Sequence, residues 1–486
     1  MPRAPRLRRC RRVSDLRQRR LQAVNSNEGI QEEGYEKTTP AWLLPTEVTC
    51  AIFEAALGPS PFFTGGQSLP GSEVIAISQV CRTWRDIALD YTPLWTTFAY
   101  SDKGPMSNLN QEMVLSRLQL HLDRSGGRPV DLWVDAANSQ LSDKLYDAFT
   151  EHMGRWRRVA LQLNPSSDGV PLRIAQPDLA PNLEAFALAN SRPTSISYFP
   201  FPNFTLNAPK LDTLRMDFRA FKTWAPTTTI TRLDIDQWCH SHSAYLPWST
   251  FLDIISSPAL KSLMIRALPG GVMFKAPTSS DMARRVDTNL EDIHCTEVRV
   301  AHTMWGFIRS APRLRTISFF HMGVHRKWDI QEAANRWGLN LFGKDYDLRF
   351  PVLKSVSMID CVVSKLNLEC LAKLTPHVVS FGVFAVKTTQ GMPIDTLMSR
   401  EERSVEDIMW PKLDFVRANI KDIKQAQYDS YSKFLLGRSA LKKPCTLLLY
   451  TPEADRWKEQ DVRGWKKLEN RGLVHDLGQR VVGQCI

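Results

Sequence analysis

At 486 residues, with 43% hydrophobic side chains and a net charge of +11, the chain is long enough for about three domains or one extended repeat array, and apolar enough to bury a sizeable core. Nine cysteines without close pairs exclude a secreted disulfide scaffold and read as thiols of a reducing compartment. No apolar run reaches the roughly 18 residues of a membrane span and the start lacks a signal-peptide stretch, so a soluble cytoplasmic or nuclear protein is expected, with no membrane partner.

The positive charge is mostly a tail. Residues 1–24 hold nine arginines against Asp15, a net of +8, which leaves +3 for the rest of the chain. An Arg-rich, aromatic-free opening buries too little apolar surface to fold, so a disordered segment is expected, with a polar linker from Asn25 to Pro40 completing a region 1–40. Its uses are open between an import signal, a non-specific phosphate contact and plain solvation. A nucleic-acid-binding fold is not expected, because the remainder is nearly neutral.

The next stretch, 41–99, predicts helices. Leu44, Val48, Ile52 and Ala55 recur every four residues, and Pro45 stands where a first-turn proline is tolerated. After a Gly/Pro/Ser-rich interruption from Gly58 to Ser72, Val80, Cys81, Trp84, Ile87 and Ala88 predict the apolar face of a second amphipathic helix. Two helices this short form no self-sufficient core and need a cover. Leu44-Pro45 with Glu47, then Val80-Cys81 with Trp84-Arg85, then Leu94-Trp95, resemble in order the F-box, a three-helix module that docks onto the Skp adaptor of SCF-type ubiquitin ligases. The lengthened link after the first helix resembles a fungal F-box-like group. The resemblance implies an adaptor-binding surface formed or supported by Leu44, Pro45, Val48, Ile52, Phe53, Val80, Cys81, Trp84, Leu94 and Trp95, and through the adaptor a cullin.

A connector, 100–154, follows. It reads as a polar loop from Ser101 to Asn110, a helix through Met113 to Leu122 stopped by Ser125-Gly126-Gly127-Arg128-Pro129, an alternating strand Val130–Val134, and a helix from about Leu141 to Gly154. From 155 to 420 the chain repeats. Pro181-Asn182-Leu183 with Phe186 and Leu188 sets a Pro-x-Leu-x-x-Leu-x-Leu shape that returns after Pro209, Pro258, Pro312, Pro351 and Pro411. Looser copies start near Trp156, Ile230, Leu290 and Val378. Such self-similarity is the sign of a solenoid, and the shape is the strand segment of a leucine-rich repeat. The turn asparagine of regular repeats is missing, as in the degenerate repeats of F-box proteins. The expected fold class is therefore α/β, α+β at the N-terminus: a short helical F-box followed by an irregular leucine-rich-repeat solenoid with a curved, largely parallel sheet. Residues 421–486, with a helix near Ile423–Leu436, a strand Cys445–Tyr450 and a charged helical stretch, predict a capping segment.

Strand alternation directs every second residue outward. The expected solvent-facing set includes Arg158, Asp217, Asp236, Asp292, Thr316, Ser318, Ser355, Ser357 and Phe415, and, as the target-binding candidates, Arg215, Arg232, Asp234, Arg266, His294, Phe384 and Arg417. Cys239-His240-Ser241-His242 and His294-Cys295 fit no common zinc spacing, and neither Gly65-Gly66 nor Gly270-Gly271 is followed by a phosphate-loop Lys-Ser/Thr. Glu401-Glu402 has no partner base. No catalytic residue, cofactor or metal is expected. The reading is a non-catalytic substrate receptor acting in ubiquitin-dependent protein degradation, its protein target unnamed by the sequence. The alternatives are an F-box scaffold without a ubiquitination role and a nucleic-acid-associated regulator using the basic tail.

Overall fold

The computed structural model describes residues 44–57, 72–101, 108–136, 143–163, 180–190, 208–218, 221, 229–237, 245–267, 273–275, 277–296, 298–320, 349–361, 365–384, 397, 408–419 and 425–477. The Arg-rich opening, the linker, residues 58–71, Cys239–His242, Gly270-Gly271 and Glu401-Glu402 lie outside them. The chain separates into two compact units, residues 1–49 and 50–486. In the first, Pro45 precedes helix α1 (Thr46–Leu57), and its carbonyl accepts both the Thr49 N–H (3.0 Å) and the Thr49 hydroxyl (3.2 Å). A proline loses nothing there, because its absent N–H has no helical partner.

In the second unit, α2 (Ser72–Gln79) and α3 (Arg82–Asp90) lead through a 3₁₀ turn, Thr92–Trp95, into a sheet. The strands follow as β1 (Thr97–Ser101), β2 (Val130–Ala136), β3 (Trp156–Leu163), β4 (Ala185–Asn190), β5 (Thr213–Asp217), β6 (Arg232–Asp236) and β7 (Ser262–Arg266). Then come β8 (Val286–Asp287), β9 (Asp292–Cys295), β10 (Ile308–Ser310), β11 (Thr316–Phe320), β12 (Ser355–Ile359), β13 (Ser380–Phe384), β14 (Phe415–Asn419), β15 (Thr446–Leu449) and β16 (Val474–Asp476). Strands β8 and β10 pair off by themselves. The other fourteen form one sheet in chain order, each bonded in parallel to the next. Parallel neighbours need crossover connections. Several contain helices: α4 (Asn108–Arg124), α5 (Asp143–Thr150), α6 (Trp248–Ile255), α7 (Ser279–Ala283), α8 (Val298–Phe307), α9 (Lys365–Leu374), α10 (Gln425–Ala440), α11 (Thr451–Gln460) and α12 (Val462–Glu469).

The repeated shape has a local cause. In each copy the proline is the second residue of a turn whose fourth residue, the first Leu, returns an N–H to the carbonyl before the proline. Leu183 bonds Ala180 (3.1 Å), Leu211 bonds Ala208 (3.1 Å), Leu314 bonds Ala311 (3.2 Å), Leu353 bonds Phe350 (3.2 Å) and Leu413 bonds Trp410 (2.9 Å). Proline's fixed φ suits that second position. The two later apolar positions then enter a strand and point inward. Register stacks Val159 on Phe186, Leu214, Leu233, Leu263 and Ile293, and onward through Ile317, Val356, Phe381 and Val416 to Leu447. All are buried. Each such side chain contributes about 1.5–3 kcal/mol when fully buried, so adjacent strands are held by their shared core.

The sheet runs past both expected limits of the repeat region. β1 crosses the expected boundary at 99–100, β2 lies in the expected connector, and β15 and β16 lie in the expected capping segment; Val130–Val134 and Cys445–Tyr450 read as strands but not as rungs of the repeat, because no Pro-x-Leu turn introduces them. The polar loop after Ser101 also ends early, since α4 begins at Asn108.

One buried cation ties the last turns together. Arg438 on α10 is 1% exposed, and its guanidinium donates to the carbonyls of Met409 (2.9 Å), Trp410 (3.2 Å) and Lys443 (3.2 Å). Trp410 and Lys442 both adopt positive φ, near 50° and 58°, so these turns need an external brace. Replacing Arg438 by Met should therefore lower the unfolding free energy by about 1–3 kcal/mol, since the Met409 carbonyl loses its guanidinium donor while Trp410 keeps only the Leu413 N–H. Chemical denaturation of the two proteins measures the difference; a change below about 0.5 kcal/mol would show the carbonyls to be satisfied otherwise.

Candidate functional site

The N-terminal helices were the expected landing surface, and their side chains divide into two sets. In the first unit, Leu44 is half-buried, Pro45 is exposed and Val48 is 43% exposed. In the second, Phe53, Val74, Ile77, Ala88, Leu94 and Trp95 close on one another as a small cluster separate from the main core. The Trp95 indole donates to the Ala88 carbonyl (2.7 Å), so its one polar atom is satisfied inside. Trp84 packs edge-on against Phe53 at 5.1 Å and stays half-exposed. Three of the expected adaptor contacts, Phe53, Leu94 and Trp95, are thus interior braces and present nothing outward. Their apolar character served packing.

The helix read from Val80 to Ala88 starts only at Arg82, and a separate helix, α2, precedes it. Val80 lies between α2 and α3, 62% exposed, and Cys81 caps α3, its sulfur accepting the Trp84 N–H at 3.4 Å. The Arg85 side chain donates to the Ser78 carbonyl (3.0 Å) and fixes the corner. What remains outside is an apolar set: Ile52 at 37%, Ile75 at 37% and Val80. Ile75 was not anticipated, because the short stretch between the interruption Gly58–Ser72 and Val80 was assigned no element; the apolar run Val74-Ile75-Ala76-Ile77 was the available signal.

Polar groups pin this region without adding chemistry. The Tyr91 phenol donates to the Glu54 carboxylate, and that bond pushes its pKa up to about 12. His121 of α4 lies edge-on to Trp95 (5.0 Å) and Phe98 (5.5 Å), and burial, then Arg117 and Arg124, pull its pKa down to about 4. It is neutral at physiological pH. Within the second unit, a compact helical cluster with sealed braces and an uncovered apolar exterior is therefore on display between Ile52 and Trp95. Residues 41–101 match a family model described as F-box-like. No curated protein matches the chain.

The second expected site is the outward face of the sheet, and it separates into two kinds of surface. Across β5–β7 the charges pair with one another. Arg215 Nε lies 2.6 Å from Asp236, and the Arg266 guanidinium lies 3.2 Å from Asp234 and 3.5 Å from Asp236. Asp217, Asp234 and Asp236 are buried, and burial pushes the Asp234 carboxyl up. The expectation that Asp217, Asp234 and Asp236 face solvent is corrected: neighbouring rungs place carboxylate beside guanidinium, and much of their capacity is used internally. Arg232 and Arg417 are exposed as expected. His294 is half-buried, with burial lowering its pKa.

Ser318 and Phe384 are also buried, at 5% and 8%. The Phe384 ring lies over Gly382, where an added Cβ would come within 2.9 Å of it. No cluster of three metal-type ligands occurs among the described residues, and no helix among them is long and apolar enough to cross a membrane.

The division into braces and exterior predicts opposite outcomes for truncation. Trp95→Ala should cost about 3–5 kcal/mol in urea unfolding, because it empties the cluster and orphans a carbonyl. Val80→Ala should change stability by less than about 0.5 kcal/mol. Equal losses would contradict the assignment.

Proposed function

We propose that this chain is the target-holding subunit of an SCF-type ubiquitin ligase. Its F-box-like region would dock on a Skp-type adaptor and through it a cullin, and its sheet, a degenerate leucine-rich-repeat solenoid of the fungal F-box-like kind, would carry the protein to be modified. The observation that carries this reading is the exposure of Ile52, Ile75 and Val80 on a helical cluster that is otherwise closed, within the segment that matches the family model. An apolar exterior rimmed by charged groups marks a place where another protein sits. Arg82, Arg85 and Asp86, all exposed, supply such a rim.

The chain would perform no bond chemistry itself. Its contribution is proximity: holding a target beside a ubiquitin-loaded enzyme makes the transfer effectively intramolecular, and well-oriented reactions of that kind gain about 7–11 kcal/mol. The reactive thiol belongs to another subunit. A cytoplasmic or nuclear location follows from that role.

The test uses the exterior and leaves the braces alone. A double substitution, Ile52→Asp with Val80→Asp, should abolish co-purification with the Skp-type adaptor while the urea midpoint stays near that of the parent. Undiminished capture of the adaptor would move the interface elsewhere. Trp84→Ala is less informative, because Trp84 also packs on Phe53.

A further inference from the structure

In a sheet whose parallel strands follow chain order, every turn that enters a strand lies on the same rim. The rungs are evenly tied there: Asp212 N–H donates to Glu184 O (2.8 Å), Glu291 to Lys261 (2.6 Å), Arg315 to Glu291 (2.7 Å), Lys354 to Arg315 (3.0 Å) and Asp414 to Val379 (2.9 Å). These positions share one backbone environment, so their side chains are free to differ. Along the entry turns of β4–β9 the charges alternate and nearly cancel, Glu184, Asp212 and Glu291 standing against Lys210 and Lys261.

From β11 onward the balance is lost. Arg313 and Arg315 enter β11, Lys354 enters β12 and Lys412 enters β14. The adjacent Lys442 and Lys443 enter β15 and Arg471 enters β16, against Asp414 and Glu469 in the same turns. All of these basic side chains are exposed, and among the described residues none of them makes an ion pair. Neighbouring turns bring the cations close: Arg315 and Lys354 occupy successive rungs about 4.8 Å apart. Like charges at that spacing repel. The fold does not require them, since Glu291 and Asp414 occupy the same kind of position, so the surplus fits an anionic partner.

The strip also has a character beyond charge. The first outward residues of the same strands are the half-buried Thr316, Ser355, Ser380 and Thr446, with Phe415 exposed among them. Surfaces that bind single-stranded nucleic acid interleave basic groups with several stacking aromatics. Here Phe415 is the aromatic exposed along this row, and hydroxyls, which bond carboxylates and peptide groups alike, line the rest. We propose that the strand-entry rim of β11–β16 docks an acidic, extended polypeptide segment. As the place where a target is held, this rests on the receptor role proposed above; the binding itself is tested without the adaptor.

The probe is a fluorescent 16-residue glutamate-rich peptide containing no lysine, used with the full chain. Carbodiimide joins a lysine amine to a glutamate carboxyl as an amide, the reagent taking up the water, and residues 1–24 contain no lysine side chain to compete. Peptide mass spectrometry should find the cross-links at Lys354, Lys412 and Lys442–Lys443 and not at Lys210 or Lys261. In anisotropy, Arg315→Glu with Lys354→Glu should weaken peptide binding at least ten-fold, while Lys210→Glu with Lys261→Glu leaves it within two-fold. Equal effects of the two pairs, or cross-links spread evenly over exposed lysines, would overturn the proposal. So would an oligothymidine of equal charge that displaces the peptide at one-tenth of the peptide's concentration, since that would make the strip a nucleic-acid surface. Adaptor capture by the reversed variants, measured alongside, keeps a failure here distinct from a failure of the receptor reading.

Discussion

Every strand of this protein's main sheet depends on the next. A parallel strand of five or six residues satisfies its backbone only through its two neighbours, and its inward side chains are dry only when flanked. The unbroken inward row from Val159 to Leu447 is the product of that dependence. It also explains why the repeat is anchored on a turn. Pro-x-Leu sets where each strand begins, and a one-residue slip would send every inward side chain to the outer face.

With the interior so constrained, the outer face and the rim are where variation is cheap, and the chain uses them unevenly. Across β5–β7 guanidiniums and carboxylates on adjacent rungs meet, and their burial makes them part of the architecture. Beyond β11 hydroxyls replace them, and cations collect at the strand entries without ion-pair partners among the described residues. The N-terminal helices show a parallel division. Phe53, Leu94 and Trp95 seal a core of their own, and Ile52, Ile75 and Val80 are left outside it.

Much of this was legible in the residues. The period of the Pro-x-Leu copies announced parallel strands in series, and Leu-Pro-x-Glu, Val-Cys-x-x-Trp and Leu-Trp marked the region that the family model matches. The failures have physical reasons. Sequence alternation gives the side of the sheet, and not whether a side chain on that side is covered or paired, so Asp217, Asp234 and Asp236 read as solvent-facing. Motif membership likewise does not distinguish a brace from a contact: Trp95 and Val80 belong to the same pattern, and only packing shows that one is sealed and the other exposed. Ile75 was hidden because its short helix follows a stretch rich in helix breakers. The strands at both ends of the sheet escaped the repeat pattern because other turns introduce them.

On the proposed function, a Skp-type adaptor covers the apolar exterior at Ile52, Ile75 and Val80. Hydrogen exchange read by mass spectrometry, on the chain alone and with a saturating Skp-type adaptor, tests this most directly. Slowed exchange confined to peptides from 46–57 and 72–81, with the strands from Thr97 to Asp476 unchanged, is the predicted result. Protection that falls on the strands and spares the helices, or no protection anywhere, would contradict it.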